Sequence, residues 1–228
     1  MLTARKKIVT KPSLDELREA VSLEVPGMSP GDFDEMAIPS HLHPNPLIRW
    51  LMWRRYELIA KICKFQSDQH VLEFGCGSGI FLPTLARNCG AVYAVDLFPQ
   101  FAERLARRRG LDIRFSENVS SLADHSLDIV IAADVLEHFD DPSEILAELS
   151  LKLKPGGRLI ISGPTENLAY RIGRVLSGFG DKGDYHHTNI HALVRLIEKF
   201  GFVRTASYSL PFRFLPHLFR IVEFRNPS

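Results

Sequence analysis

The stretch Val71-Leu72-Glu73-Phe74-Gly75-Cys76-Gly77-Ser78-Gly79 decides the fold. An apolar run closes on an acid, three glycines alternate with small residues, and an apolar helical pattern follows. That order is a strand feeding a tight turn into a helix start near Ser78, the nucleotide-cradling corner of a doubly wound α/β fold. A dinucleotide fingerprint, G-x-G-x-x-G, would place its third small residue at position 80, which is Ile80. The pattern here is E-x-G-x-G-x-G. A carboxylate at Glu73 would repel a pyrophosphate and favour a cationic ligand.

Outward from this corner the alternation is regular. Strands are predicted near 70–74, 91–95, 112–116, 127–132 and 157–162, with helices near 79–88, 99–109 and 142–153 between most of them. Apolar strand runs alternating with amphipathic helices imply parallel strands joined by right-handed crossovers. A further helix fits 188–200, ending at Gly201, which can take a left-handed cap, and two strands follow near 202–209 and 218–225. Upstream, residues 1–46 are rich in proline with one short amphipathic piece, Leu14 to Leu23, and read as an N-terminal arm or lid. Leu47 to Phe65 is one helix with Leu47, Leu51, Leu58 and Ile62 at helical spacing, beside Trp50 and Trp53. Residues 47–228 then form a single domain. Its main interruption, the glycine-rich 163–187, follows a strand's carboxyl end and is expected to cap the ligand crevice.

With 228 residues, 45% apolar and 24% charged, the chain can bury the core of one α/β domain. A net charge of +1 gives no global sign of a nucleic-acid partner. Arg104, Arg107, Arg108 and Arg109 read as the solvated end of a helix. Cys63, Cys76 and Cys89 have no metal spacing and fit reduced thiols. No window reaches the roughly 20 apolar residues of a membrane span, and no secretory leader is evident, so the expected location is the cytoplasm. The aromatic and basic Phe212–Arg220 segment, with Trp50 and Trp53, is the candidate for a weak membrane-surface contact.

Glu73 through Gly79 resembles the first motif of the class I S-adenosylmethionine-dependent methyltransferases. The resemblance continues, in the family's order, through Ala94-Val95-Asp96-Leu97, Leu127-Asp128-Ile129-Val130, Val135-Leu136-Glu137-His138 and Leu153-Lys154-Pro155-Gly156-Gly157-Arg158. It covers roughly residues 70 to 162 and is nearest to the small-molecule group that includes the type 11 and ubiquinone-biosynthesis O-methyltransferases. It implies a Rossmann-like sheet of seven strands, mostly parallel with the last antiparallel, and S-adenosyl-L-methionine as cofactor.

The resemblance also assigns site residues. Gly75, Cys76, Gly77 and Gly79 form the cofactor loop, where absent Cβ atoms let the backbone approach a ligand. Glu73 is expected to hold the cationic end of the cofactor. Asp96, ending the second strand, is expected to accept both ribose hydroxyls, with Leu97 packing on the adenine. Glu117 and Asn118 stand where the family contacts the adenine amino group, and Ala133, with Ala132, leaves room for the methionyl part. Arg49, Arg54 and Arg55 are within reach of the cofactor carboxylate as alternatives.

Methyl transfer from a sulfonium is an in-line displacement that needs alignment, and a hydroxyl acceptor also needs its proton removed by a group such as histidine. His138 with Glu137 is the first candidate for that role, and His187 the second. Asp134, Glu137 and His138, with His186, His187 and His191 arriving later, are residue types that hold a divalent ion in some relatives; no metal ligands are assigned here. The expected activity is O-methylation of a small molecule. A cofactor-binding scaffold without catalysis is the alternative, and Glu73 with Ile80 disfavours a nicotinamide oxidoreductase. The acceptor and the oligomeric state are not legible in the sequence.

Overall fold

The computed structural model describes residues 9–28, 40–165, 167, 188–211 and 217–227. Before the sheet come α1 (Leu14–Val21) and α2 (Pro46–Cys63). The sheet domain then runs β1 (His70–Phe74), α3 (Leu82–Asn88), β2 (Ala91–Val95), α4 (Gln100–Arg109), β3 (Arg114–Ser116), β4 (Leu127–Ala133), α5 (Ser143–Lys152) and β5 (Leu153–Pro164). It ends with α6 (Ile190–Lys199), β6 (Val203–Leu210) and β7 (Phe219–Arg225). Strand order is β3-β2-β1-β4-β5-β7-β6. Neighbours pair in parallel from β3 to β5, and β7 lies antiparallel to both β5 and β6. This is the expected seven-stranded, doubly wound α/β sheet with its last strand reversed.

The central strands are buried on both faces, so their side chains divide by parity. Val71, Ile129, Ile131, Ala133, Ile160 and Ile221 pack with Ile59, Phe81 and Leu105 on one side. Leu72, Phe74, Val130, Ala132, Ile161 and Val222 pack with Leu146, Leu193 and Ile197 on the other. The same parity sends Glu73 to the α2 face.

Three elements differ from expectation. The helix after the glycine turn begins at Leu82 rather than near Ser78, because Gly79 N–H closes a turn on the Cys76 carbonyl at 2.8 Å and Leu82 N–H closes the next on Gly79. Strand β5 begins directly after α5 and runs through Pro155-Gly156-Gly157, with Gly156 at φ +74 where the ladder shifts register. In α2 the buried stripe is Trp53, Tyr56, Ile59, Ala60 and Cys63, whereas Leu47 is 65% exposed. The inward face is therefore the aromatic one.

The N-terminal residues are packed, not trailing. Ser13 and Glu16 form a capping box at the start of α1. Val9, Leu17 and Ala20 enter the same core as Phe81, Leu82 and Leu85. Arg109 donates through Nε and Nη2 to the two Glu16 oxygens, each at 2.8 Å, and Arg108 pairs with Glu19. This corrects the reading of the arginine run as a solvated helix end: two of its members clamp α1 onto α4. The clamp holds the Glu16 carboxyl down to about 2, chiefly through Arg109. A lowered folded value means that the stabilisation is complete above about 4.5 and fades as pH falls toward 2. Glu16→Gln is expected to cost about 0.5–1 kcal/mol. Amide exchange should rise over residues 9–22 and remain unchanged in β1 and β4; equal loss of protection throughout would contradict a local clamp.

Candidate active site

Two acids stand at the carboxyl ends of neighbouring parallel strands. Asp96, 8% exposed, accepts from Gly77 N–H at 2.7 Å through Oδ2 and from Phe98 N–H at 2.9 Å through Oδ1. It closes a turn and ties the glycine loop to β2, while α4 begins later, at Gln100. Each carboxylate oxygen keeps a second acceptor position. Glu73, 2% exposed, has an Oε2 with no hydrogen-bond partner. Burial, followed by the Asp96 charge, pushes its carboxyl well above the ordinary range. A buried acid without a donor, next to another acid, is a costly arrangement that a cation would relieve.

The loop between them is shaped by its neighbours. Gly75, Gly77 and Gly79 take φ of +71, +52 and +73. A Cβ at Gly75 would lie 2.5 Å from Val135 Cγ2, and one at Gly79 would lie 2.8 Å from Ala102 Cβ and 2.9 Å from its Cα. Close approach is thus already used by the β4 turn and by α4, which the sequence reading had assigned to a ligand alone. Cys76 is buried with its thiol pushed well up, first by burial and then by Asp96 and Glu73. Leu97, beside Asp96, is 71% exposed. Glu117 and Asn118 are exposed just past β3; the Asn118 carbonyl accepts from Ser116 and Ser121, so its backbone is turned into a local network. Ala133 is buried at the end of β4 on the Glu73 face.

Immediately after Ala133, Asp134 takes a left-handed φ of +54, uncommon for a residue with a side chain. Its Oδ1 accepts from Ser162 Oγ at 2.9 Å, its backbone N–H donates to the Ser162 carbonyl at 3.0 Å, and its Oδ2 pairs with Arg55. Arg55 is 6% exposed, lies 5.3 Å over both the Tyr56 and Phe219 rings, and has an unpartnered Nε. Of the three arginines on α2, Arg49 donates to the His43 and Pro44 carbonyls and Arg54 pairs with Glu57. Only Arg55 reaches the sheet's carboxyl end. Tyr56 lies beside it, its phenol pushed up to about 12 by burial, and its ring packs 4.7 Å from Phe81.

Glu137 and His138 sit on a single 3₁₀ turn, Leu136–His138. Glu137 is 1% exposed and directed to the opposite face, where a Cβ on Gly163 would lie 3.6 Å from its Oε1, and its carbonyl accepts from Thr188 N–H. His138 is exposed. His186, His187, Phe212–Pro216 and most of 163–187 lie outside the described residues. Among the described residues no group of three or more His, Cys, Asp or Glu side chains is placed to hold a metal ion. Residues that sequence reasoning missed are Tyr56, Ser162 and Val135; an arginine and a tyrosine inside the buried stripe of α2 were the available signal.

A family profile described as a methyltransferase domain matches residues 72–161, spanning β1 to β5. The β1 to β5 part of the chain is thus similar to a methyltransferase domain. The ubiquinone biosynthesis O-methyltransferase of Xylella fastidiosa (strain M23) is 34% identical over 111 residues, 45% of each chain. The ribosomal protein L11 methyltransferase of Paraburkholderia phytofirmans is 37% identical over 123 residues, 51% of this chain and 39% of that protein. The chain thus spans less than half the length of these curated relatives. Among solved structures, the N-methyltransferase NodS of Bradyrhizobium japonicum, in complex with S-adenosyl-L-homocysteine, superposes with a TM-score of 0.64 at 17% identity, covering 94% of this chain and 98% of that one. The [4+2]-cyclase SpnF superposes at 0.62 and 19% identity, covering 77% and 81%. These likenesses show the fold, and a fold shared by such different chemistries leaves function to the site.

The buried acid gives a direct test. With its folded value raised, Glu73 contributes stability below about 4.5 that is lost as pH rises through the raised value. At neutral pH the sheet domain therefore carries an unfavourable group. Glu73→Gln is expected to raise Tm by about 2–4 °C, the shift that about 1 kcal/mol gives in a domain this size. Gly75→Ala is expected to lose about 2 kcal/mol by chemical denaturation, combining a left-handed φ with overlap on Val135. A Glu73→Gln variant less stable than its parent at pH 7.5 would argue against an uncompensated acid.

Proposed function

We propose that the protein transfers a methyl group from S-adenosyl-L-methionine to a hydroxyl of a small molecule. The observation that carries this reading is the acid pair Glu73 and Asp96: one buried oxygen without a donor, and two carboxylate oxygens with acceptor positions left, astride a glycine turn. That donor set suits a nucleoside with vicinal hydroxyls and a cationic tail. When bound, the cofactor supplies an electrophilic methyl on a sulfonium. Asp96 takes the ribose hydroxyls, Leu97 offers an apolar surface to the base, and Glu117 and Asn118 border it. Glu73 compensates positive charge, Ala133 leaves space beside it, and the unpartnered Arg55 Nε is the donor available to the cofactor carboxylate. The acceptor hydroxyl surrenders its proton to His138, with His187 as the further candidate; Glu137, packed beside Gly163, supports the turn that carries His138. Residues 1–46 act as an arm over the domain at 47–228, with 163–187 capping the acceptor.

The names of the relatives support methyl transfer, and the ubiquinone-biosynthesis name supports an oxygen acceptor; the ribosomal-protein relative makes the acceptor class the point to test. Titration calorimetry with S-adenosylhomocysteine is expected to give a Kd at or below micromolar. Asp96→Asn keeps one oxygen acceptor, enough for only one of the Gly77 and Phe98 N–H groups, and removes the charge; it is expected to weaken binding by about 10- to 100-fold, the worth of hydrogen bonds to a charged group. Turnover assayed with phenols and catechols is expected, and His138→Ala should lower kcat with little change in cofactor affinity. Absent binding, or full turnover by His138→Ala, would overturn the corresponding assignment. The cofactor's affinity should also rise with pH as Glu73 ionises, since a bound cation favours the charged acid, and this rise should vanish in Glu73→Gln.

A further inference from the structure

His41 belongs to a 3₁₀ turn, Ser40–Leu42, just ahead of α2, and nothing in the reaction described above uses it. Its ring is 2% exposed and its Nε2 has no hydrogen-bond partner. The imidazole stands edge-on to Trp53 with centroids 4.6 Å apart, and 5.6 Å from Tyr56. Tyr56 in turn packs 4.7 Å from Phe81, the residue joining the glycine turn to α3. One continuous line of rings thus runs from the N-terminal segment to the turn that follows Gly75–Gly79. Thr10 N–H bonds Thr84 Oγ1 at 3.0 Å and Val9 and Leu17 fill the same core, so the segment meets α3 at a second place.

We propose that His41 is a positioning residue for the glycine loop: as an uncharged ring it seats the N-terminal segment on Trp53 and Tyr56, and through Tyr56 and Phe81 it holds the loop in its binding shape. The inference rests on the reading of that loop as the cofactor site. The charges around the ring admit only the neutral form. Lys11, ahead of α1, lies 5.0 Å over the outer side of Trp53, where it pairs with Glu57; Arg55 reaches over Tyr56 from α2. Of the acids of α1, Glu19 and Glu16 are turned to Arg108 and Arg109, and Asp15 pairs with Arg18. Burial first, then Arg55, and last Lys11 lower the imidazole from 6.5 to about 3, against a raising hydrogen bond with the Met52 backbone. A lowered folded value means that the seating is complete above about 6.5 and is lost progressively below it, as the released imidazole takes a proton that the seated one refuses.

Between pH 7.5 and 5.0 the population with the segment lifted should therefore grow about 30-fold, the proton-binding ratio for a group of unperturbed value near 6.5. Hydrogen exchange over residues 9–28 and 40–43, corrected for intrinsic rates, is expected to show this rise in the full chain. In His41→Phe, which keeps a ring and removes the titration, it should stay flat. Should that variant fail to fold, His41→Gln is read in its place, together with Trp53 emission of the parent in a Trp50→Phe background, which should shift to the red on the same pH change. S-adenosylhomocysteine affinity, taken as the ratio of parent to His41→Phe, is expected to fall on acidification, because the Glu73 contribution is common to both and cancels. Identical pH dependence of exchange in parent and variant would overturn the proposal, as would lifting of the segment with the affinity ratio unchanged. A parent that binds no S-adenosylhomocysteine at pH 7.5 would instead remove the cofactor reading and the loop's role with it, while the exchange measurement would still report on the seating of the segment.

Discussion

A carboxyl group buried without a donor is the constraint around which this molecule is built. Parity places Glu73 on the α2 face of β1, one residue before the backbone turns away, and its neighbours there are Tyr56 and Asp96 rather than a lysine or arginine. The guanidinium that α2 brings to that end of the sheet, Arg55, is engaged by Asp134. Charge is therefore separated within the site: a cation paired with an acid over β4 and β5, and an uncompensated acid pair over β1 and β2. A ligand that is positive at one end and a hydrogen-bond donor at the other completes this arrangement, and an anionic dinucleotide does not. The stability lost to the acid is a strain that a bound cation would relieve.

The glycine loop shows how such a site is kept in shape without a ligand. Gly77 N–H and Phe98 N–H are both held by Asp96, and Gly75 N–H by the Val95 carbonyl at 2.8 Å, so β2 fixes the loop's outer side. Val135 fixes the inner side by occupying the space a Cβ on Gly75 would need. Val135 is itself set by the left-handed Asp134, whose carboxylate is anchored to Ser162 and Arg55. Four strands and α2 thus converge on five loop residues, which is the preorganisation that a binding site needs.

The sheet was legible in the sequence because its strands are apolar runs punctuated by glycine and acid, and the strands from β1 to β5 pair in parallel as the alternation implies. Local signals also located Glu73, Asp96 and the glycines. What escaped were relations between distant residues. Nothing in Arg107-Arg108-Arg109 announces that two of these cations meet Glu16 and Glu19, some ninety residues upstream, because the acids on α1 look equally suited to solvent. The stripe of α2 was misjudged for a related reason: periodicity over a helix apolar on several faces does not say which face is inward, and the aromatic face won by packing against Phe81 and Leu82. The helix start near Ser78 failed because the loop spends its first turns on left-handed glycines, which cannot propagate an α-helix.

The turn after β4 gives two nearby residues different contacts. Val135 packs against Gly75 of the glycine loop, and Glu137 lies beside Gly163 and takes Thr188 N–H on its carbonyl. A buried acid in that position joins the β4 turn to the start of α6, the helix that follows the interrupted segment after β5. The motif Val135-Leu136-Glu137-His138 therefore divides its labour. Val135 packs against the glycine loop, Glu137 ties the turn to the start of α6, and His138 is exposed on the same short turn. The turn that carries His138 is thus tied both to the glycine loop and to the start of α6.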